Sequence, residues 1–326
     1  MELRKHQELL WLEEMEKRGG LKEEGLRELQ LRRKGYEGEA DFGHLLHDYL
    51  PNNWLFIQDL RLKSVAGELQ IDALLVNPLG LTVFEVKNYT ADYQYSEGSW
   101  RVNGRAKVHN DFQQLERTVA LLRQLLEQNG FKVPIEKYVV YINEQDSVEI
   151  DDPTLPFLKR ATLRRFVKEA IKQCQIASNQ RYDKESDWLL SQHIDDERRF
   201  TLSDDEFASL KKGIYCVNCY TFDVTVSRYE ICCRHCQFVE GREKATVRSI
   251  CDYGLLFPYR DLCVVDLREF IGPPTNYNYI LKILAKHFTK KPSANRYINP
   301  QLPLDYTTLT KTFYYKDTPT GKIGKH

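Results

Sequence analysis

Leu81-Thr82-Val83-Phe84-Glu85-Val86-Lys87 is the stretch whose reading decides the fold. It is rich in β-branched and aromatic residues and uncharged until Glu85, which is the composition of a buried strand. Alternation at period two places Glu85 and Lys87 on one face. Residues 69–76 form a second such run, and Asn77-Pro78-Leu79-Gly80 between the two is a turn signal, so the pair reads as a hairpin. That hairpin carries Asp72 to the end where Glu85 and Lys87 sit. Two carboxylates and an ammonium on an apolar strand pair are costly unless they pair or hold a metal. Hard divalent cations such as Mg²⁺ or Mn²⁺ take such oxygen ligands. A Glu-x-Lys pair alone is common as a plain salt bridge; its combination with Asp72 is more specific.

Outward from the hairpin, residues 35–53 open with Gly-Tyr-Glu-Gly-Glu. Phe42, Leu45, Leu46, Tyr49 and Leu50 then recur at helical spacing up to Pro51. Further strands are expected over 54–60, 93–102 and 138–142. An amphipathic helix over 110–129 has Phe112, Leu115, Val119, Leu122 and Leu126 on one face, and another helix follows over 158–173 after a loop at 151–156. This order describes a mixed α/β domain ending near residue 200. Before it, residues 1–34 read as two charged amphipathic helices broken at Gly19-Gly20. They would serve as a packing arm or as a contact for a homodimer or partner protein.

The series Gly35-Tyr36-Glu37-Gly38-Glu39, Gln70-Ile71-Asp72, Phe84-Glu85-Val86-Lys87-Asn88-Tyr89, Trp100 and Asn110-Asp111-Phe112-Gln113-Gln114 resembles the nuclease-related domain (NERD) family. That family is a branch of the PD-(D/E)XK superfamily with a restriction-endonuclease-like core. The resemblance spans roughly residues 35–150, and this chain departs from it at Gln70, often Glu, and at Asp111, often Pro. It implies a restriction-endonuclease-like mixed sheet flanked by helices, and metal-assisted hydrolysis of phosphodiester bonds in nucleic acid, with DNA the expected form. Asp72 and Glu85 would hold Mg²⁺ or Mn²⁺ with help from Glu39. Lys87 would orient water or stabilise the phosphate, and Gln114 would support the site. The other reading is a catalytically inactive nucleic-acid-binding adaptor or regulator that keeps the fold.

With 326 residues, 42% hydrophobic and 29% charged, the chain has the composition of a globular protein of about two domains, which excludes wholesale disorder and fibrous structure. No apolar run approaches membrane-spanning length and no signal-peptide core opens the chain, so a soluble, cytoplasmic protein with no membrane partner is expected. The zero net charge conceals an asymmetry: residues 270–326 hold nine Lys or Arg against Asp305 and Asp317. Such a basic end suits a polyanion, or is simply a solvated face.

Five of the eight cysteines fall between Cys216 and Cys236. Cys216-x₂-Cys219 and Cys233-x₂-Cys236 are two ligand pairs of the kind tetrahedral Zn²⁺ takes, and alternation at Phe222, Val224 and Val226 between them fits a zinc-ribbon hairpin with a structural metal. Cys232 leaves the register of the second pair slightly open, with His235 as a substitute. Residues 264–272 and 277–287 then read as two short helices around Pro273-Pro274-Thr275, which resembles a helix-turn-helix. Tyr277, Asn278, Lys282 and Lys286 on the second helix are its candidate nucleic-acid contacts. The expected organisation is an arm over 1–34, the nuclease-related domain over 35–200, the zinc ribbon over 205–242 and a basic helix-turn-helix-like region over 243–326. No Gly-rich phosphate loop is present, which disfavours an ATP-driven motor.

Overall fold

A computed structural model of the chain describes residues 3–64, 67–106, 109–145, 147–176, 181–194, 200–292 and 295–299. Two helices come first, α1 (Gln7–Lys17) and α2 (Glu23–His47), parted near Gly19-Gly20 as expected. α2 is longer than its sequence suggests, because it continues through Gly35 and Gly38 without a break. Each glycine costs a helix about 1 kcal/mol relative to alanine. Full burial of Phe42 and Leu46 further along carries the helix across that weak stretch.

The chain divides into two compact units, Met1–Lys5 with Gln30–Asp196 and His6–Leu29 with Glu197–His326. In the first unit β1 (Leu55–Ser64), β2 (Gly67–Asn77) and β3 (Gly80–Lys87) form an antiparallel meander. The expected turn joins the second to the third: Asn77 Oδ1 accepts from Leu79 N at 2.8 Å, and Gly80 has φ +130°. Only glycine fits there, since a Cβ would lie 2.3 Å from the Pro134 carbonyl oxygen. Next come β4 (Tyr93–Ser96), β5 (Ser99–Val102) and β6 (Arg105–Ala106), then α3 (Asp111–Gln128) and β7 (Ile135–Tyr141). β8 (Val148–Ile150), β9 (Phe157–Lys159), α4 (Leu163–Ile176) and α5 (Asp183–Ser191) complete the unit.

The main sheet has the order β1-β2-β3-β7-β9, with β7 parallel to β3 and β9 parallel to β7; a second sheet has the order β6-β5-β4-β8. The unit is therefore mixed α/β, with mixed sheets flanked by helices. β3 is buried on both faces, which explains its continuous apolar run. Leu81 and Val83 pack with Leu115 and Leu122 of α3, while Phe84 and Val86 pack with Phe42 and Leu46 of α2 and with Leu163 and Val167 of α4.

Two further details differ from the sequence reading. The segment expected as one strand over 93–102 is a hairpin, turned by Glu97-Gly98 with both φ angles positive. The helix expected from residue 158 starts at Leu163, because residues 157–159 add a strand to the edge of the sheet and one 3₁₀ turn, Arg160–Thr162, intervenes.

In the second unit α6 (Asp204–Ser209) leads to a three-stranded antiparallel ribbon, β10 (Val224–Val226), β11 (Glu230–Cys233) and β12 (Val239–Gly241). α7 (Arg242–Leu256), α8 (Val264–Ile271) and α9 (Tyr277–His287) follow. The last two occupy the expected spans, and Asn276 caps α9 by accepting from Tyr279 N at 2.9 Å. One core unites the unit: Met15 of α1 joins Phe207, Ile250, Tyr253, Leu267, Phe270 and Ile283. The arm-like N-terminal segment is thus built into this unit through α1. Arg18, fully buried after α1, donates to Glu14 Oε1 at 2.6 Å and to the carbonyls of Lys211 and Gly213 at 3.0 and 3.3 Å. Among the described residues no helix is long and apolar enough to cross a membrane. Lys311, Lys316, Lys322 and Lys325 of the basic tail, with Asp305 and Asp317, lie outside the described residues.

Candidate active site and metal centre

β3 places its two charges as the alternation requires. Lys87 Nζ donates to Glu85 Oε1 at 2.7 Å and to Gln114 Oε1 at 3.2 Å, and Gln114 Nε2 donates to the same Glu85 oxygen at 2.6 Å. Gln114 reaches them because Asn110 caps α3, accepting from Phe112 N at 3.0 Å, so the first turn of α3 faces the end of β3. Asp72 is held from β2: its Oδ2 accepts from Val86 N at 2.8 Å.

Glu39 arrives from α2 by a close helix–strand approach. A Cβ on Gly38 would lie 2.6 Å from Asn88 Cβ, and Asn88 Nδ2 donates to the Lys34 carbonyl at 3.0 Å. Glycine at 38 therefore lets α2 lie against the residue that follows Lys87. Glu39 Oε2 is buried and has no hydrogen-bond partner.

These charges act on one another. Burial raises the Glu39 carboxyl well above the usual carboxylate range, and Asp72, Asp59 and Glu85 push it the same way. Burial, then the charge of Glu85, pushes Asp72 up to about 7. Burial works against the Lys87 ammonium, but Glu85 and Asp72 outweigh it and its pKa is raised. Glu39, Asp72 and Glu85 offer oxygen donors of the kind a hard divalent cation takes, though among the described residues they are not gathered as closely as the cysteines of the second unit.

One group was not singled out from the sequence. Asp59 stands directly across from Asp72, between the paired rows Gln58–Ala73 and Leu60–Ile71, with φ +50°. Its Oδ1 accepts from Gln70 Nε2 at 3.1 Å and from Arg61 Nε at 3.2 Å, so the departure at Gln70 supplies a donor to a carboxylate. Only strand pairing reveals that neighbourhood. The departure at Asp111 likewise has a partner: its buried carboxylate accepts from Tyr89 OH at 2.8 Å and Tyr141 OH at 3.4 Å.

In the second unit the sulfurs of Cys216, Cys219, Cys233 and Cys236 lie within 4.8 Å of one another, and among the described residues this is the one such His, Cys, Asp or Glu group. The second pair is thus Cys233 with Cys236, and neither Cys232 nor His235 belongs to the group. Cys216 and Cys236 sulfurs are 3.6 Å apart, those of Cys219 and Cys233 3.5 Å. Thiolates about 2.3 Å from a tetrahedral Zn²⁺ would be about 3.8 Å apart, so the quartet has the right size for that ion. Both Cys-x₂-Cys turns have the same build. Cys216 N donates to Thr221 O and Tyr220 N to Cys216 O; Cys233 N donates to Phe238 O and Gln237 N to Cys233 O. Tyr220 and Gln237, each following the second cysteine of its pair, have φ +59° and +60°.

On α9, Tyr277, Asn278, Lys282 and Lys286 are all exposed. Lys286 is engaged, donating to Glu243 Oε1 at 2.5 Å beside His287.

The Nuclease-related domain (NERD) family matches residues 34–142, about a third of the chain, and that span holds Glu39, Asp72, Glu85, Lys87 and Gln114. No curated protein and no solved structure matches the chain.

Proposed function

We propose that this protein is a metal-dependent nuclease hydrolysing phosphodiester bonds of nucleic acid, DNA in the first instance. One observation carries the reading: Glu85, Lys87 and Gln114 form a closed hydrogen-bonded set beside Asp72 at the end of a buried strand, within the nuclease-related segment. Asp72 and Glu85, with Glu39, are the residues that would hold Mg²⁺ or Mn²⁺. Such an ion, when bound, acidifies its water and neutralises charge on the phosphate. Lys87, fixed by Glu85 and Gln114, presents an ammonium that can donate to a phosphoryl oxygen or orient the attacking water. Gln114 holds Lys87 and Glu85 in register, and the Val86 amide holds Asp72.

The cysteine quartet would hold a structural Zn²⁺, and exposed side chains of α9 would touch the substrate backbone. A homodimer through the N-terminal helices would draw on Leu26 and Leu31, which are exposed on α2, rather than on Leu9, Leu12 and Met15, which are buried.

Purified protein incubated with linear, circular and single-stranded DNA and with RNA tests the reading. Cleavage is expected only with added Mg²⁺ or Mn²⁺, and Asp72→Ala and Lys87→Ala should each lower it at least about a hundredfold. Salt-sensitive binding without cleavage by the wild-type chain would instead identify a nucleic-acid-binding adaptor on an inactive nuclease core.

A further inference from the structure

Among the described residues, five of the exposed large apolar side chains fall in the ribbon: Val217, Tyr220, Tyr229, Phe238 and Val239. Two of the aromatic ones are placed by the metal-binding turns themselves. Tyr220 is the left-handed residue that closes the first turn, and Phe238 is the residue whose carbonyl closes the second. Glycine is the ordinary occupant of a left-handed position, and a tyrosine there is strained. Burial does not offset the strain, because Tyr220 is 52% exposed; Phe238 is 41% exposed. The ring rests edge-on against Tyr215, with centroids 6.1 Å apart, and still leaves half its surface in solvent for what it meets outside the fold.

Its surroundings say what that is. The second turn presents Arg234 and His235, both exposed, and Lys17 Nζ lies 5.4 Å from the Tyr220 ring centre. The facing carboxylates are Asp223, which pairs with Arg234 at 3.3 Å, and Glu14, which pairs with Lys17 at 3.4 Å. The two turns are contiguous, since Asn218 of the first donates to Cys236 Sγ of the second at 3.4 Å. We propose that these two turns form a stacking platform for unpaired nucleotides, with bases on Tyr220 and Phe238 and backbone phosphates on Arg234 and its cationic neighbours. Exposed rings beside cations suit single strands, whose bases offer free π faces; in a duplex those faces are already stacked. Val217 and Val239 add apolar surface beside the rings, so a protein partner is the competing occupant that the binding test separates.

The inference deepens the nuclease reading by naming the form of its substrate, and its test does not need cleavage. Full-length Lys87→Ala protein, loaded with Zn²⁺, is titrated against a labelled oligonucleotide as single strand and as duplex, followed by fluorescence anisotropy. The single strand should bind more tightly. Adding Tyr220→Gly, which removes the ring and relaxes the backbone, together with Phe238→Ala should weaken single-strand binding by at least about tenfold and leave duplex binding as it was. Zinc content and melting temperature should be unchanged or, for Tyr220→Gly alone, the melting temperature raised. Arg234→Ala should weaken the binding and flatten its salt dependence. Unchanged single-strand affinity in the double variant, or equal loss for single strand and duplex, overturns the platform; the first result would leave the exposed rings to a protein partner. Intact single-strand binding alongside a wild-type chain that never cleaves would overturn the nuclease reading alone.

Discussion

At Asp72 the physics of one carboxyl sets a measurable property of the whole first unit. In water an aspartate takes up its proton near pH 3.9; burial and the charge of Glu85 move this to about 7 in the fold. Between those values the folded chain binds a proton that the unfolded chain does not. Stability of the metal-free protein therefore falls as pH rises through that window, and the contribution is fully lost above about pH 7. Thermal melting without added divalent cation should show the melting temperature dropping from pH 5 to pH 8, with the drop reduced in Asp72→Asn. Added Mg²⁺ should restore stability at pH 8 and do so less at pH 6, where protons compete for the same oxygens. A pH-independent effect of Mg²⁺ would argue against binding at Asp72. Buried Arg18 provides a second test at this scale. Arg18→Ala leaves Glu14 buried beside Asp252 without its main counter-charge, and should destabilise the second unit by about 3–5 kcal/mol in urea unfolding followed by hydrogen exchange of the α7 amides.

Among the elements, α2 and α3 are the ones whose placement makes a site from separate residues. Gly38 and Asn110 control them. Gly38→Ala puts a Cβ 2.6 Å from Asn88, so α2 must lift from the end of β3 and take Glu39 with it. A higher Mg²⁺ concentration for half-maximal activity, with little change in secondary structure by circular dichroism, is the expected result. Asn110→Ala removes the acceptor of the Phe112 amide, and should lower stability by about 1 kcal/mol and activity through Gln114.

The hairpin at Asn77–Gly80, the amphipathic α3 and the α8–α9 pair are legible in the sequence, because each is set by local turn chemistry or a clean helical period. Asn103-Gly104, with φ +47° and +77°, lies just past the stretch read as one strand over 93–102 and turns β5 into β6, a connection the sequence reading does not include. α7 was not legible: Thr246, Ser249, Asp252 and Gly254 are buried alongside Val247 and Ile250, so no polar face marks its period.

Taken as a whole, the molecule has two cores that should respond to different ions. Replacing Cys216 by Ser should lower bound Zn²⁺ below one per chain and depress the unfolding transition of the second unit, while the transition of the first is unmoved; calorimetry with metal analysis checks both. The sequence by itself determined the local pairs from which both candidate sites are built, since strand alternation puts Glu85 on the same face as Lys87 and each Cys-x₂-Cys closes its own turn. Tertiary structure alone decided the rest. Asp59 becomes a neighbour of Asp72 only through the pairing of β1 with β2, and Glu39 joins them only because α2 packs on Asn88. α1 enters the second core through contacts nearly two hundred residues away in sequence, as between Arg18 and Lys211. Local patterns report what a residue does within a turn or a strand; which distant carboxylates share a desolvated space depends on packing, and their raised proton affinities exist only there.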